Sequence, residues 1–242
     1  MVSPADAERL RLAQAGIRRL VTRDLDAFFA SLNLDRPERA RDALLAFMPV
    51  LVSQYGESAA AVAADWYDGV RASEGVSGRY RATMAASPYL SAVDGTTRRA
   101  VGALFTDAPN ETLVALRSAA PKYVLAASRQ TITGSADRDP RARGWQRVTS
   151  GGACTFCRGL AARGGVYTQH SVMFAAHKAC GCAAVPSWDP DAPEVDVRAY
   201  EASRRMTALR MRAARGDESA RRQIEEHSAR TKLWLEAEFG AD

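Results

Sequence analysis

The sequence predicts a mainly α-helical protein in three parts: a long helical region over residues 1–137, a small α+β knob over 138–188, and a helical tail over 189–242. Apolar side chains recur at helical spacing along the first part, and the alternating runs of Val and Ile that indicate a sheet are absent there. The composition changes at Gly134, and all four cysteines lie in the second part.

Helix-boundary residues place the first elements. Ser3 is the expected N-cap of a helix whose first residue is Pro4, a position that proline favours. A second helix is predicted to begin at Pro37 and to end at Gly56, because glycine is the usual residue after a helix C-terminus. A third helix is then expected to begin at Ser58.

A connection and two further helices follow in the same region. The Gly- and Ser-bearing stretch 76–84 predicts the connection, and apolar spacing predicts helices over 88–106 and 110–133. Asn110 is the expected N-cap of the second of these helices. Pro121 is expected to kink or divide it, because proline removes a hydrogen bond from a helix interior.

The polar residues that follow Gly134 predict a linker that leads into the knob. Beyond the knob, helical spacing resumes over 194–239, with one break at Gly216 and Asp217 as the next N-cap. Three short strands are predicted in the knob, at 145–148, 166–168 and 183–185.

The net charge of +5 comes from 33 basic and 28 acidic side chains, and thirty of the basic ones are arginine. High-GC coding explains such an excess, and so does a use of guanidinium groups to bind phosphate in bidentate fashion. The position of the charge is more informative. The net charge is +1 over 1–137, +6 over 138–182, −4 over 183–197, +5 over 198–216 and −3 over 217–242.

The basic segment 138–182 is a candidate surface for phosphate or for an acidic protein face, with a merely solvated surface as the alternative. Its candidate phosphate-binding residues are Arg141, Arg143, Arg147, Arg158 and Arg163.

Membrane insertion and export are not predicted. The longest apolar run covers ten residues, 43–52, and it contains Pro49, whereas a spanning helix needs about 18 or more. The first 25 residues carry five arginines at helical spacing and no apolar core of a signal peptide. The chain is therefore expected to have no membrane segment and to be made in a cytosol.

The cysteines carry the strongest chemical signal. A C-x2-C pair, nineteen further residues and an H-x2-C-x-C run form the pattern of a structural zinc site, in which each tight pair closes a chelate. Four of five donors would complete a tetrahedron, with either four thiolates or three thiolates and one imidazole. The five candidate ligands are Cys154, Cys157, His177, Cys180 and Cys182.

A structural role for Zn²⁺ follows from the size of the knob. About 50 residues with few large apolar side chains build little core, and a bound metal compensates for that. We therefore expect a zinc-stabilised knob. A disulfide or redox pair is the alternative, and it requires an oxidising compartment.

Catalysis is not predicted. A catalytic zinc keeps an open position and needs a general acid or base beside it, yet the sequence has no Asp or Glu between Asp139 and Asp189. The motifs of zinc deaminases, H-E-x-x-H proteases, α/β-hydrolases and P-loop enzymes are absent as well. We expect that the protein is not an enzyme.

The motif order resembles that of the MuF-like minor capsid proteins of tailed bacteriophages, in the branch common in phages of actinobacteria. The resemblance covers 145–188 and is carried by W-x-R at Trp145, the run GACTFCRGLAARGGVY from Gly152, F-x2-H-x2-C-x-C from Phe174, and Val185-Pro186.

The resemblance implies a non-enzymatic head-morphogenesis protein that is made in the host cytoplasm and is present at low copy in the virion. Its partners would be the portal protein at the portal vertex and the capsid interior, inside the head, with packaged DNA as a further candidate because some relatives bind DNA. The alternative function is a non-specific DNA-binding module that uses the basic segment 138–182.

Overall fold

The computed structural model is mainly helical, with one small antiparallel sheet among the residues that it describes. The described residues are 2–87, 90–149, 152–153, 155–162, 165–168, 174, 181–195, 206 and 208–239, of which the side chains of 155, 156, 228 and 230–239 are not described. Within this part of the chain, no helix combines the length and the apolar character that crossing a bilayer requires.

The elements follow the predicted order of helices, sheet and helical tail. They are α1 (Pro4–Ala30), α2 (Pro37–Ser73), α3 (Leu90–Ala100) with a 3-10 turn (Val101–Phe105), α4 (Glu111–Arg138), β1 (Gly144–Val148), α5 (Thr155–Ala161), β2 (Ala183–Ser187) and α6 (Glu218–Phe239), preceded by a helical segment at 208–214.

The predicted caps at two helix starts are confirmed. The Ser3 hydroxyl accepts a hydrogen bond of 3.1 Å from the backbone N–H of Asp6 at the start of α1. The Asp217 carboxylate accepts one of 3.0 Å from the backbone N–H of Ala220 at the start of α6, and Gly216 before it has a φ of +92°. Local sequence therefore determines both of these helix ends.

The predicted break at Gly56 is wrong, because α2 continues for 37 residues through Pro49 and Gly56 to Ser73. Gly56 is buried, and a Cβ atom there would lie 3.0 Å from the Ser87 hydroxyl and 3.8 Å from the Cβ of Ala127. The missing side chain thus allows two segments to approach the helix closely. Packing along the inner face of α2 offsets the low helix propensity of glycine.

Helix α4 also extends beyond its prediction. It continues through Pro121, and the predicted linker after Gly134 is its last turn, which ends at Arg138. Burial explains this extension, because Ser135 and Ala136 lie on the inner face of the helix. Asn110 precedes the helix but makes no side-chain capping bond.

Two cores stabilise the fold. The first lies among the helices α1, α2, α3 and α4 and includes Val21, Leu25, Leu44, Met48, Leu116 and Val124. The second joins these helices to the sheet region and includes Leu10, Tyr67, Ile132, Trp145, Tyr167 and Ala184. The residues of the predicted knob that the structure describes therefore pack directly on the helical region.

The sheet contains two of the three predicted strands. β1 and β2 pair antiparallel, with Trp145 opposite Pro186 and Val148 opposite Ala183, which confirms the predictions at 145–148 and 183–185. The predicted third strand at 166–168 forms only isolated bridges. The indole of Trp145 stacks on the ring of Tyr167 at 4.6 Å, so this segment still covers the sheet.

Gly144→Ala is expected to lower the free energy of unfolding by about 1–3 kcal/mol. Gly144 has a φ of +155°, and a Cβ atom there would lie closer to the carbonyl oxygen of Tyr167 than real Cβ atoms come to any neighbour. The control is Gly69→Ala on the exposed side of α2, where nothing lies within 4 Å and a gain of about 0.5–1 kcal/mol is expected. The free energy of unfolding is measured by equilibrium urea unfolding. Equal changes for both variants would contradict the conclusion that a side chain does not fit at Gly144.

Candidate metal centre

The structure brings together the two halves of the cysteine motif. Cys157 lies on α5 and Cys182 directly precedes β2, and both are 1% exposed. They belong to one buried cluster, against which Ala153 and Phe174 pack. Residues far apart in the sequence therefore meet where the predicted site requires them to meet.

The other three candidate ligands, Cys154, His177 and Cys180, lie outside the described residues. Within the part of the chain that the structure describes, no group of three or more His, Cys, Asp or Glu side chains could hold a metal ion. The zinc-stabilised knob therefore stays a prediction, and the positions of Cys157 and Cys182 are compatible with it.

Two buried arginines lie beside this cluster. The guanidinium carbon of Arg129, on α4, is 5.0 Å from the centre of the Phe174 ring, and that of Arg147, on β1, is 3.8 Å from it. Arg129 also donates a hydrogen bond of 3.2 Å to the backbone carbonyl of Cys182. Both cations therefore contact the aromatic ring that packs against the two cysteines.

The predicted phosphate-binding arginines divide into different environments. Arg141 and Arg143 are exposed in the connection between α4 and β1, and Arg158 on α5 is partly exposed. Arg147 is only 7% exposed, so its prediction as a surface contact is wrong: its position in β1 directs the guanidinium onto the Phe174 ring. Arg163 lies outside the described residues.

A buried polar network anchors the chain where α4 ends. The carboxylate of Asp139 accepts hydrogen bonds from Arg71 Nε at 2.8 Å, Tyr67 Oη at 3.1 Å and Trp188 Nε1 at 3.0 Å. The backbone N–H of Arg141 donates to its other oxygen at 3.1 Å. One carboxylate thus connects α2, the end of α4 and the residue that follows β2.

Arg71 extends this network to the segment after α2. Its guanidinium donates to the backbone carbonyls of Val76, Ser77 and Gly78 at 2.9–3.2 Å. The side chains of Arg71 and Asp139 are 7% and 0% exposed, respectively, so their ion pair is almost fully shielded from water.

The ionisation of the network follows from these contacts. Burial alone raises the pKa of Asp139, but the hydrogen bonds from Arg71, Trp188 and the Arg141 backbone outweigh it and hold that pKa below its ordinary value. Burial and the neighbouring Asp139 carboxylate raise the pKa of Tyr67. The network therefore contains a carboxylate, a guanidinium and a neutral phenol at neutral pH.

Sequence reasoning missed the importance of this network. The available signal was that Asp139 is the only acidic residue between 138 and 182. A single carboxylate in a strongly basic segment is a candidate for a specific ion pair, but the sequence does not identify its partner. Arg71 is 68 residues away along the chain.

The comparison with known families adds the decisive observation. The model of the VG15 protein family matches residues 1–207, which is most of the chain. The chain belongs to the VG15 family. VG15 is a phage-derived family, and membership in it is consistent with a viral protein. No curated protein and no solved structure matches the chain significantly.

Proposed function

We propose that this VG15 family member is a structural minor capsid protein of a tailed phage, of the MuF-like type. It acts in head morphogenesis and associates with the portal vertex inside the head. The family match over residues 1–207 is the observation that carries this proposal. The motif order around Trp145 to Pro186 supports the MuF-like assignment.

The geometry of the described residues supports a structural role. Helix α2 has 37 residues and is therefore about 55 Å long at 1.5 Å per residue, so it can span a large part of a subunit. The Asp139 carboxylate is shielded from solvent and connects secondary-structure elements. Such a network stabilises the shape of the chain and has no access to a substrate.

The proposed structural zinc would be held by four of the five donors in the cysteine motif. The buried contact cluster of Cys157 and Cys182 supports it, because it brings the two halves of the motif together. A structural zinc contributes its binding free energy to folding and needs no open coordination position.

The head-assembly role is tested in the phage itself. A tagged copy of the protein is expected to copurify with the portal protein from assembled heads. Deletion of the gene is expected to reduce infectious particles, with heads that are absent or fail to package. Normal assembly and infectivity after deletion would overturn the proposal.

Non-specific DNA binding is a second candidate function, and the exposure of Arg141 and Arg143 on one connection favours it. For the double variant Arg141→Gln/Arg143→Gln, we expect the slope of log Kd against log salt to fall by about two, one for each lost phosphate contact. The control is Arg79→Gln/Arg81→Gln, which removes the same charge at the same spacing from another exposed segment. Equal slopes for both double variants and the wild type would reject this candidate.

A further inference from the structure

A cavity lies between α3 and α4, and the residues that line it precede the basic segment 138–182 in the sequence. Its volume is about 370 Å³, and its lining comes from two helical faces. Its floor consists of small side chains, and its rim carries two cations and two hydroxyl groups. The lining residues are Thr96, Arg99, Ala100, Ala115, Ala119, Lys122 and Tyr123.

The helical spacing explains why this cavity exists. Residues 115, 119, 122 and 123 recur on one face of α4, and residues 96, 99 and 100 recur on one face of α3. Alanine at the contact positions leaves the space open, while the longer side chains at the edges form a polar rim. The volume is within the range of cavities that bind small molecules.

The polar groups of the rim converge. The hydroxyls of Thr96 and Tyr123 are 2.7 Å apart, and Nη2 of Arg99 donates to the Thr96 hydroxyl at 3.3 Å. The Lys122 ammonium lies 5.9 Å from the centre of the Tyr123 ring. Two cations and a hydrogen-bonded pair of hydroxyl groups therefore line one cavity.

The charge of the rim is not balanced within the described part of the chain. Neither Arg99 nor Lys122 forms an ion pair with a carboxylate there, whereas Arg117, also on α4, pairs with Asp26 of α1. None of the described lining residues is acidic. An anion in the cavity would be attracted by both cations.

We propose that the cavity between α3 and α4 binds a phosphate group through Arg99, Lys122, Thr96 and Tyr123. The guanidinium and the ammonium would bind the phosphate oxygens. The Thr96–Tyr123 pair would supply one further hydroxyl donor, because the other proton is used in the hydrogen bond between them. The alanine floor and the Tyr123 ring would contact the organic part of the ligand. This site is separate from the exposed arginines of 138–182 and does not depend on the proposed role in the head.

The phosphate could belong to a free phosphate compound or to the backbone of DNA, and separate titrations distinguish the two sources. Inorganic phosphate and a deoxynucleoside monophosphate are titrated into the full-length protein by calorimetry at low salt, and a labelled DNA duplex is titrated by fluorescence anisotropy. Binding of the two small compounds indicates a free ligand. Binding of the duplex alone indicates a DNA phosphate.

Three variants identify the cavity as the site. Arg99→Gln/Lys122→Gln is expected to weaken binding about tenfold or more, because charged hydrogen bonds contribute strongly to affinity. Ala115→Met narrows the cavity without a change of charge and is expected to weaken binding as well. Arg98→Gln removes a charge from the exposed neighbour of Arg99 and is expected to leave binding unchanged.

The outcomes separate a built site from general attraction to positive charge. Thermal melting by circular dichroism establishes that each variant remains folded. An equal loss in Arg98→Gln, wild-type affinity in the double variant, or wild-type affinity in Ala115→Met would overturn the proposal. The absence of any binding to all three ligands at low salt would overturn it too.

Discussion

Asp139→Ala is expected to lower the free energy of unfolding by about 3–5 kcal/mol. The change leaves the Arg71 guanidinium buried without its carboxylate and removes the acceptor of the Tyr67 and Trp188 hydrogen bonds. Equilibrium urea unfolding followed by circular dichroism measures the loss. The effect is large because an uncompensated buried charge is more costly than the absence of the whole pair.

An exposed ion pair supplies the matched control. Asp26→Ala breaks the ion pair between Asp26 and Arg117, whose two side chains are 33% and 47% exposed, respectively. We expect this change to lower the free energy of unfolding by less than about 1 kcal/mol. The double variant Arg71→Ala/Asp139→Ala is expected to lose less than the sum of its single variants. A loss for Asp139→Ala as small as that for Asp26→Ala would contradict the assigned role of the network.

The same carboxylate predicts a pH dependence of stability. The pKa of Asp139 is lower in the folded than in the unfolded chain. The ionised carboxylate therefore contributes its full amount to the free energy of unfolding at pH values above the unfolded pKa of about 3.9. That contribution is lost as the pH falls through the lower folded pKa. The difference in stability between the wild type and Asp139→Asn is therefore expected to narrow below about pH 4, and a difference independent of pH would contradict the assignment.

Removal of the proposed zinc is expected to have the second large effect. Structural zinc sites contribute about 10–16 kcal/mol of apparent binding free energy in zinc-finger peptides, so chelation is expected to unfold the region around Cys157 and Cys182. Trp145 reports on this region, since its ring centre is 5.5 Å from that of Phe174. We expect its fluorescence to change while the far-ultraviolet circular dichroism of α1–α4 is largely retained.

Metal analysis tests the same proposal directly. Protein purified under reducing conditions is expected to contain one zinc ion per chain, and Cys157→Ser is expected to lose it because the change removes half of a chelate. His227→Ala, outside the motif, is the control and is expected to keep the metal. Replacement of His177, Cys180 and Cys182 one at a time identifies the donor that is not required. Reduced wild-type protein without zinc would refute the site.

Local sequence was sufficient for several elements of the fold. The Ser3 and Asp217 caps and the two paired strands were predicted, because each depends on residues close in sequence or on a short apolar pattern. The error at Gly56 and the continuation of α4 through Pro121 have a common cause. Both residues weaken an isolated helix, but both lie on buried faces where packing stabilises the helix.

The candidate site was predicted in part. The cysteine spacing predicted which residues could meet, and Cys157 and Cys182 do meet in one cluster. The environment of the arginines was not predictable, because Arg147 follows the β1 register into the interior whereas Arg141 remains outside. A count of charges by segment contains no information about which side of an element each charge occupies.

The sequence by itself determined the helical class, the position of the sheet and the spacing of the cysteine motif. Only the tertiary structure decided that Asp139 pairs with Arg71, that Arg147 is buried, and that Arg99 and Lys122 share a cavity. The physical reason is distance along the chain. Helix and strand patterns arise from neighbours a few residues apart, whereas ion pairs and cavities form between segments that only the folded core brings together.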